Sequence, residues 1–266
     1  LVSLSKVQKE KLPLLDVRPV KKLLVVLITS NRGLCGSFNS NIIRKTSAQL
    51  KDPKNISRQR TEMGDMEASE EVEIDVIGIG KKGADFAKKN NYNLIASYSE
   101  FSDTPKLDAI MPISQMIIDE YTKGNYDKVV VAYTDFKSAI AQVAKFRQVL
   151  PVSETDIEKM IGELGSDKDA KDKENEEKKE IADYVFEPSK SEVLETILPR
   201  LVETQVYQAV LESSASEHSA RMMAMRNASD AAEDMIKELN LTFNKARQAA
   251  ITQEIAEIAG GAAALE

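Results

Sequence analysis

The run SEVLETILPRLVETQVYQAVLESSASEHSARMMAMRNASDAAEDMIKELNLTFNKARQAAITQEIAEI, residues 191–258, contains no glycine and one proline, Pro199. It predicts a single helix of about 65 residues, which at 1.5 Å rise per residue would span roughly 100 Å, well beyond the diameter of a small domain. A three-four spacing runs its whole length through Leu194, Ile197, Leu201, Thr204, Gln208, Leu211, Ala215, His218, Met222, Met225, Ser229, Ala232, Ile236, Leu239, Phe243, Ala246 and Ala250. That is the stripe a coiled-coil seam requires. The small residues at Ala215, Ser229, Ala232, Ala246 and Ala250 let a partner helix come close. Pro199 is placed either to kink the helix or to set its start a turn later. A helix packed on its own domain is the simpler alternative, but a pattern sustained beyond about four heptads favours the coiled coil. The partner is missing: only residues 1–12 read as further helix of this kind, and a chain that begins at Leu1 without Met has residues upstream that were processed away, cut off or left out.

Upstream of that helix the pattern changes. After Pro13 and Pro19, Leu23-Leu24-Val25-Val26-Leu27-Ile28 is a continuous apolar run, the signature of a strand buried on both faces of a parallel sheet. A turn at Thr29-Ser30-Asn31-Arg32-Gly33 leads into a helix over 39–51. The unit repeats as strand 72–79 with helix 80–90, strand 94–98 with helix 108–123, strand 128–133, and an alternating strand over 142–152. Such alternation predicts a Rossmann-like, mostly parallel α/β domain with right-handed crossovers. Residues 52–71 read as a polar connection, 167–180 as a solvated charged insertion, and 184–186 as a short strand. The expected division is 1–18 as the end of an N-terminal helix and linker, 19–188 as the α/β domain, and 189–266 as the long helix. Leu265-Glu266 reads equally as native or as a vector-derived tail.

The 266 residues are 42% hydrophobic and 30% charged, with a formal net charge of -7, which supports one or two domains and argues against a nucleic-acid binder. One cysteine excludes an internal disulfide and a multi-thiolate zinc site, so a reducing compartment is the simpler setting. No apolar run approaches the ~20 residues that span a bilayer, so the expectation is no direct membrane insertion.

Three features bear on chemistry. Gly78-Ile79-Gly80-Lys81-Lys82-Gly83 matches GxGxxG between a strand and a helix, and Glu100 and Asp103 stand near the distance of a ribose-binding acid. The motif sits on the second strand-helix unit, however, and a tight turn explains its glycines equally well. Cys35 lies at a strand-to-helix junction where a helix dipole favours a thiolate, yet a nucleophile needs a base and the one histidine is His218 on the distant long helix. His218 itself has no second His or Cys nearby to share a metal.

Ile28-Thr29-Ser30-Asn31-Arg32-Gly33-Leu34-Cys35-Gly36-Ser37-Phe38-Asn39 resembles the ITS-x-RGLCG-x-[FY]-N segment of the γ subunit of F-type ATP synthases. Two stretches of the long helix resemble the same family, Ser216-Glu217-His218-Ser219-Ala220-Arg221-Met222-Met223-Ala224-Met225-Arg226-Asn227-Ala228 and Asn244-Lys245-Ala246-Arg247-Gln248-Ala249-Ala250-Ile251-Thr252-Gln253-Glu254-Ile255. The resemblance implies an antiparallel coiled coil of N- and C-terminal helices with an α/β domain inserted at its base. It also implies a rotor: a shaft inside a ring of α and β subunits, with the α/β domain near the ε subunit and the membrane-embedded c-ring. Proton flow would turn the shaft and force the β sites through their states, so the chain would hold no catalytic residue, metal or cofactor of its own. Its implied place is peripheral, on the cytoplasmic face of a bacterial plasma membrane, with the mitochondrial inner membrane as the alternative.

By the same resemblance Arg247, Gln248, Thr252 and Glu254 match positions that hydrogen-bond a loop of one β subunit, and Arg226 lies where a basic residue approaches an acidic β segment. Counted from Ala246 at about 100° per residue, Arg247, Gln248, Ile251, Thr252 and Glu254 all point to the side of the seam or away from it. Periodicity alone would make that face merely solvated. The chain departs from the family in lacking most of the N-terminal helix, in its charged stretch at 167–180, and in having no dithiol pair of the chloroplast kind. Two other readings stay open: a nucleotide-dependent α/β enzyme using Gly78 to Gly83, and a coiled-coil adaptor with an α/β head.

Overall fold

The structure is a computed structural model that describes residues 12–52, 56–57, 60–61, 64–65, 71–99, 105–153 and 190–263. By contacts it divides into two units, residues 1–220 and residues 221–266.

The first unit is built on the apolar run found in the sequence. Strand β1, Lys22–Ile28, is buried at every position after Lys22, because it has a neighbour on each edge and a helical layer on each face. Small antiparallel strands β2, Arg60–Thr61, and β3, Gly64–Asp65, follow the first helix. The main sheet continues with β4, Glu73–Ile79, β5, Asn93–Tyr98, β6, Lys128–Phe136, and β7, Gln142–Leu150, in the order β5-β4-β1-β6-β7. The pairs β5·β4, β4·β1 and β1·β6 are parallel, while β7 turns back antiparallel to β6 as a hairpin. The helices are α1, Phe38–Leu50, α2, Lys81–Lys89, α3, Leu107–Thr122, and α4, Lys190–Ala263.

Alternation along β1 sorts these helices into two layers, as a pleated strand must. Leu23, Val25 and Leu27 join Ile42 and Leu50 of α1 and Phe86 and Ala87 of α2 in one core. Leu24, Val26 and Ile28 join Ile110, Ile113 and Ile117 of α3 and the early part of α4 in the other. The chain therefore folds as a three-layer α/β/α sandwich.

Helix α4 is continuous from Lys190, with Pro199 inside it, so the proline does not set the helix start. Its early part packs on the sheet through Leu194, Leu198, Leu201, Val202, Val206, Ala209 and Val210. These positions overlap the predicted seam at Leu194 and Leu201; Leu198, Val202 and Ala209 lie one residue beyond a seam position, about 100° around the helix, and Val206 and Val210 fall between seam positions. The seam residues Ile197 and Leu211 are each 38% exposed, and Thr204, Gln208, Ala215 and His218 are also exposed. Up to Val210 the helix spends one apolar face on its own domain, as the simpler alternative held, with the seam beside it.

Within 52–71, read as a polar connection, the described residues include the β2·β3 pair and Ile56, which is buried in the α1 and α2 core. Lys128 at the start of β6 is buried and donates to the Ile56 carbonyl at 2.9 Å, and burial pushes its ammonium down to about 8. The helix expected over 1–12 apart from Leu12, the charged stretch 167–180, the strand 184–186 and the end at 265–266 lie outside the described residues.

In the second unit α4 is the one element among the described residues. Every residue from Met225 to Gly261 is exposed, including Met235, Ile236, Leu239, Leu241, Phe243, Ile251, Ile255 and Ile258.

Candidate functional site

The segment after β1 is held by its own side chains. The Ser30 amide donates to Asn39 Oδ1 at 3.0 Å, and Asn39 Nδ2 donates to Ser30 Oγ at 2.6 Å and approaches Cys35 Sγ at 3.2 Å. Ser30 Oγ donates in turn to the Arg32 carbonyl. Asn39, on the first turn of α1, thus ties the end of the strand to the start of the helix. Cys35 is 2% exposed and sits inside this network, so it is a packed thiol rather than a presented one. The loop around it turns through positive φ at Leu34 and Gly36, which pushes the Leu34 side chain outward to 76% exposure. Asn31 reaches the other way and accepts from the Lys81 amide at 3.0 Å, while Arg32 and Gly33 are exposed on the turn.

That last contact settles the glycine motif. Three amides open helix α2, and each already has an acceptor: Lys81 N–H gives to Asn31 Oδ1, Lys82 N–H to the Ser30 carbonyl at 3.3 Å, and Gly83 N–H to Thr29 Oγ1 at 2.7 Å. A pyrophosphate would need those same donors. Gly80 has φ 94° and its carbon lies so close to the Thr29 carbonyl that a Cβ could not fit; at Gly83 a Cβ would come within 3.0 Å of Thr29 Oγ1. The glycines let the end of β1 press onto the α2 N-terminus. The cradle expected for a nucleotide is filled by residues 29–31 of the chain itself, and Glu100 and Asp103 lie outside the described residues.

A second polar joint links α4 to the far end of the β6–β7 hairpin. Strand β6 outruns β1, whose pairing stops at Ala132, and the exposed strand edge beyond it is satisfied by serines of the helix. Ser216 Oγ donates to the Thr134 carbonyl at 3.2 Å, Ser213 Oγ accepts from the Thr134 amide at 3.5 Å, and Ser219 Oγ donates to the Ala139 carbonyl at 2.8 Å. Three serines at three-residue spacing face one way, and all three are buried. Beside them Asp135 is buried against Lys145 Nζ at 2.6 Å and Lys137 Nζ at 3.2 Å, within hydrogen-bonding reach of Glu212. Burial alone would push the Asp135 carboxyl up, but the hydrogen bonds from Lys145, Glu212 and Lys137 outweigh it and hold the group below the usual carboxylate range. Sequence reasoning missed this joint. Its only linear signal is the Ser213, Ser216, Ser219 spacing, which a heptad reading treats as polar residues off the seam.

The positions singled out for partners lie in the second unit. Arg226, Arg247, Gln248, Thr252 and Glu254 are all exposed, and Thr252 Oγ1 donates back to the Gln248 carbonyl at 2.8 Å. Among the described residues no group of His, Cys, Asp and Glu could hold a metal ion, and no helix is long and apolar enough to cross a membrane.

Known proteins agree with the resemblance. A family profile described as ATP synthase matches residues 1–265. The ATP synthase gamma chain of Roseiflexus castenholzii is 40% identical over 253 residues, 95% of this chain and 76% of that one. The gamma chain of Herpetosiphon aurantiacus is 41% identical over 261 residues, 96% of this chain and 77% of that one. Among solved structures, a chain of the Tetrahymena thermophila mitochondrial ATP synthase central stalk and c-ring has a TM-score of 0.56 at 25% identity, covering 85% of this chain and 82% of that one. A chain of the Euglena gracilis mitochondrial ATP synthase has the same fold, with a TM-score of 0.59 at 20% identity over 98% of this chain and 80% of that one. With residues 1–265 matched and both the α/β/α sandwich and the long helix present, the chain belongs to the ATP synthase gamma chain family.

Proposed function

We propose that this chain is the central rotor-stalk subunit of an F-type, proton-translocating ATP synthase, coupling rotation of the membrane c-ring to conformational change at the catalytic β subunits. The observation that carries it is the exposed helix of residues 225–261, whose apolar side chains have no cover among the described residues in a chain of this family. In this reading the seam through Ile236, Leu239 and Phe243 takes the N-terminal helix, and the outward polar residues meet the surrounding α and β subunits. The chain contributes shape and leverage, while the chemistry belongs to β. The ε subunit and the c-ring meet the α/β domain, and the chain sits peripherally at the cytoplasmic face of the membrane.

Arg247, Gln248, Thr252 and Glu254 are then the residues through which the tip of the shaft holds a β subunit, with Arg226 lower down against an acidic β segment. The test uses a version carrying the upstream helix, assembled with α and β subunits, with the four tip residues changed to alanine. A hydrogen bond to a charged group contributes about 1.5 kcal/mol or more, a factor of about ten, so losing even one bond made in the rate-limiting state should slow ATP hydrolysis by about tenfold. Hydrolysis at the unsubstituted rate would make this face merely solvated.

A further inference from the structure

The joint between α4 and the β6–β7 hairpin contains two carboxyl groups side by side, and only one of them is matched by positive charge. Asp135 on β6 takes both nearby ammonium groups, Lys145 of β7 and Lys137 of the turn. Glu212 on α4 receives one neutral donor, Gln208 Nε2 to Oε1 at 2.9 Å, and its Oε2 is buried with no donor of its own among the described residues. Tyr133 of β6 faces the same Glu212, Asp135 and Lys145, and Arg147 of β7 acts on Tyr133. Two ionised carboxylates in contact repel, and a buried oxygen without a donor carries a desolvation cost; one proton between them removes both problems.

We propose that Glu212 and Asp135 share one proton across this joint, so that the α/β domain grips the long helix in the protonated state and loosens its grip as Glu212 ionises. The direction of each group's titration agrees. Burial, then the hydrogen bond to Asp135 and its charge, push the Glu212 carboxyl above its ordinary 4.5, while Asp135 stays ionised. Because the folded value of Glu212 is the higher one, the stabilisation is complete below about pH 4.5 and is lost as pH rises through the raised folded value. The inference concerns the attachment of the helix and does not depend on the rotor role.

Hydrogen exchange of the amides at 209–216 in the full chain, corrected for intrinsic exchange, reads the opening of the joint. Between pH 4.5 and the raised Glu212 value it should increase about tenfold per pH unit, as the release of one proton on opening requires. Glu212→Gln keeps a donor toward Asp135 but cannot ionise, so its opening should not change with pH over that window. Equal slopes in the two proteins, or no slope in the unsubstituted chain, would overturn the proposal. If the glutamine variant fails to fold, Asp135→Asn decides: without the aspartate charge the upper end of the window, where the rise levels off, should move down towards the ordinary glutamate range, and an unmoved upper end contradicts the shared proton. The infrared band of a protonated carboxyl, present in the unsubstituted chain at a pH above 4.5 and moved to lower pH in the asparagine variant, is the second readout.

Discussion

Replacing Gly80 with alanine is expected to lower the stability of the α/β domain by about 3–5 kcal/mol. The residue has φ 94°, a backbone conformation L side chains rarely adopt, and its Cβ would run into the backbone carbonyl of Thr29. Neither problem can be relieved locally. Moving Thr29 away breaks the hydrogen bond its N–H donates to the Ile79 carbonyl at 2.8 Å and the one its hydroxyl accepts from the Gly83 amide. Moving α2 away uncovers Phe86 and Ala87 from the sheet. The chain lends itself to the measurement, because it has no tryptophan and all seven tyrosines fall between residues 92 and 207. Urea unfolding followed by tyrosine fluorescence therefore reports the first unit, and a midpoint unchanged by the substitution would refute this role for the glycine.

Val202→Asp should cost a similar amount, roughly 3–5 kcal/mol, by placing an unpaired carboxyl in the core between α4 and the sheet. Val202 is fully buried in a cluster of hydrophobic side chains. The control is Ile197→Asp, five residues earlier on the seam face. Ile197 is 38% exposed in the chain on its own, so that change should shift the unfolding midpoint by no more than about 0.5 kcal/mol. The pair separates the two faces of α4 cleanly. If the aspartate at 197 did the damage and that at 202 did none, the seam, and not its neighbour, would be packing on the domain.

Legibility in the sequence followed the strength of the local signal. The run Leu23 to Ile28 has no polar interruption, so burial on both faces was readable, and the structure places helices on both. The β2·β3 pair was not readable, because two-residue strands have no period to detect. On α4 the three-four spacing was real, but Leu194 and Leu201 belong to two neighbouring stripes, and Gln205, Ser213, Ser216 and Ser219 do not register as buried on any hydrophobic pattern. The GxGxxG match showed a strand pressed on a helix, and only coordinates could reveal that Thr29 to Asn31 occupies the anion position. Asp135 and Glu212 meet through tertiary structure across 77 residues, a juxtaposition that no linear motif encodes. Arg247, Gln248, Thr252 and Glu254 stood out only through family resemblance, since an exposed helix face of mixed polarity looks the same whether water or a partner covers it.

The rotor assignment is tested most directly by watching the chain turn. A full-length version, with a probe fixed to its α/β domain, is assembled into a surface-held ring of α and β subunits and supplied with ATP. The probe should rotate in one direction for as long as ATP is hydrolysed and stop when it is exhausted. A probe that stays still, or wanders in both directions, while the ring hydrolyses ATP would contradict the role proposed for this helix.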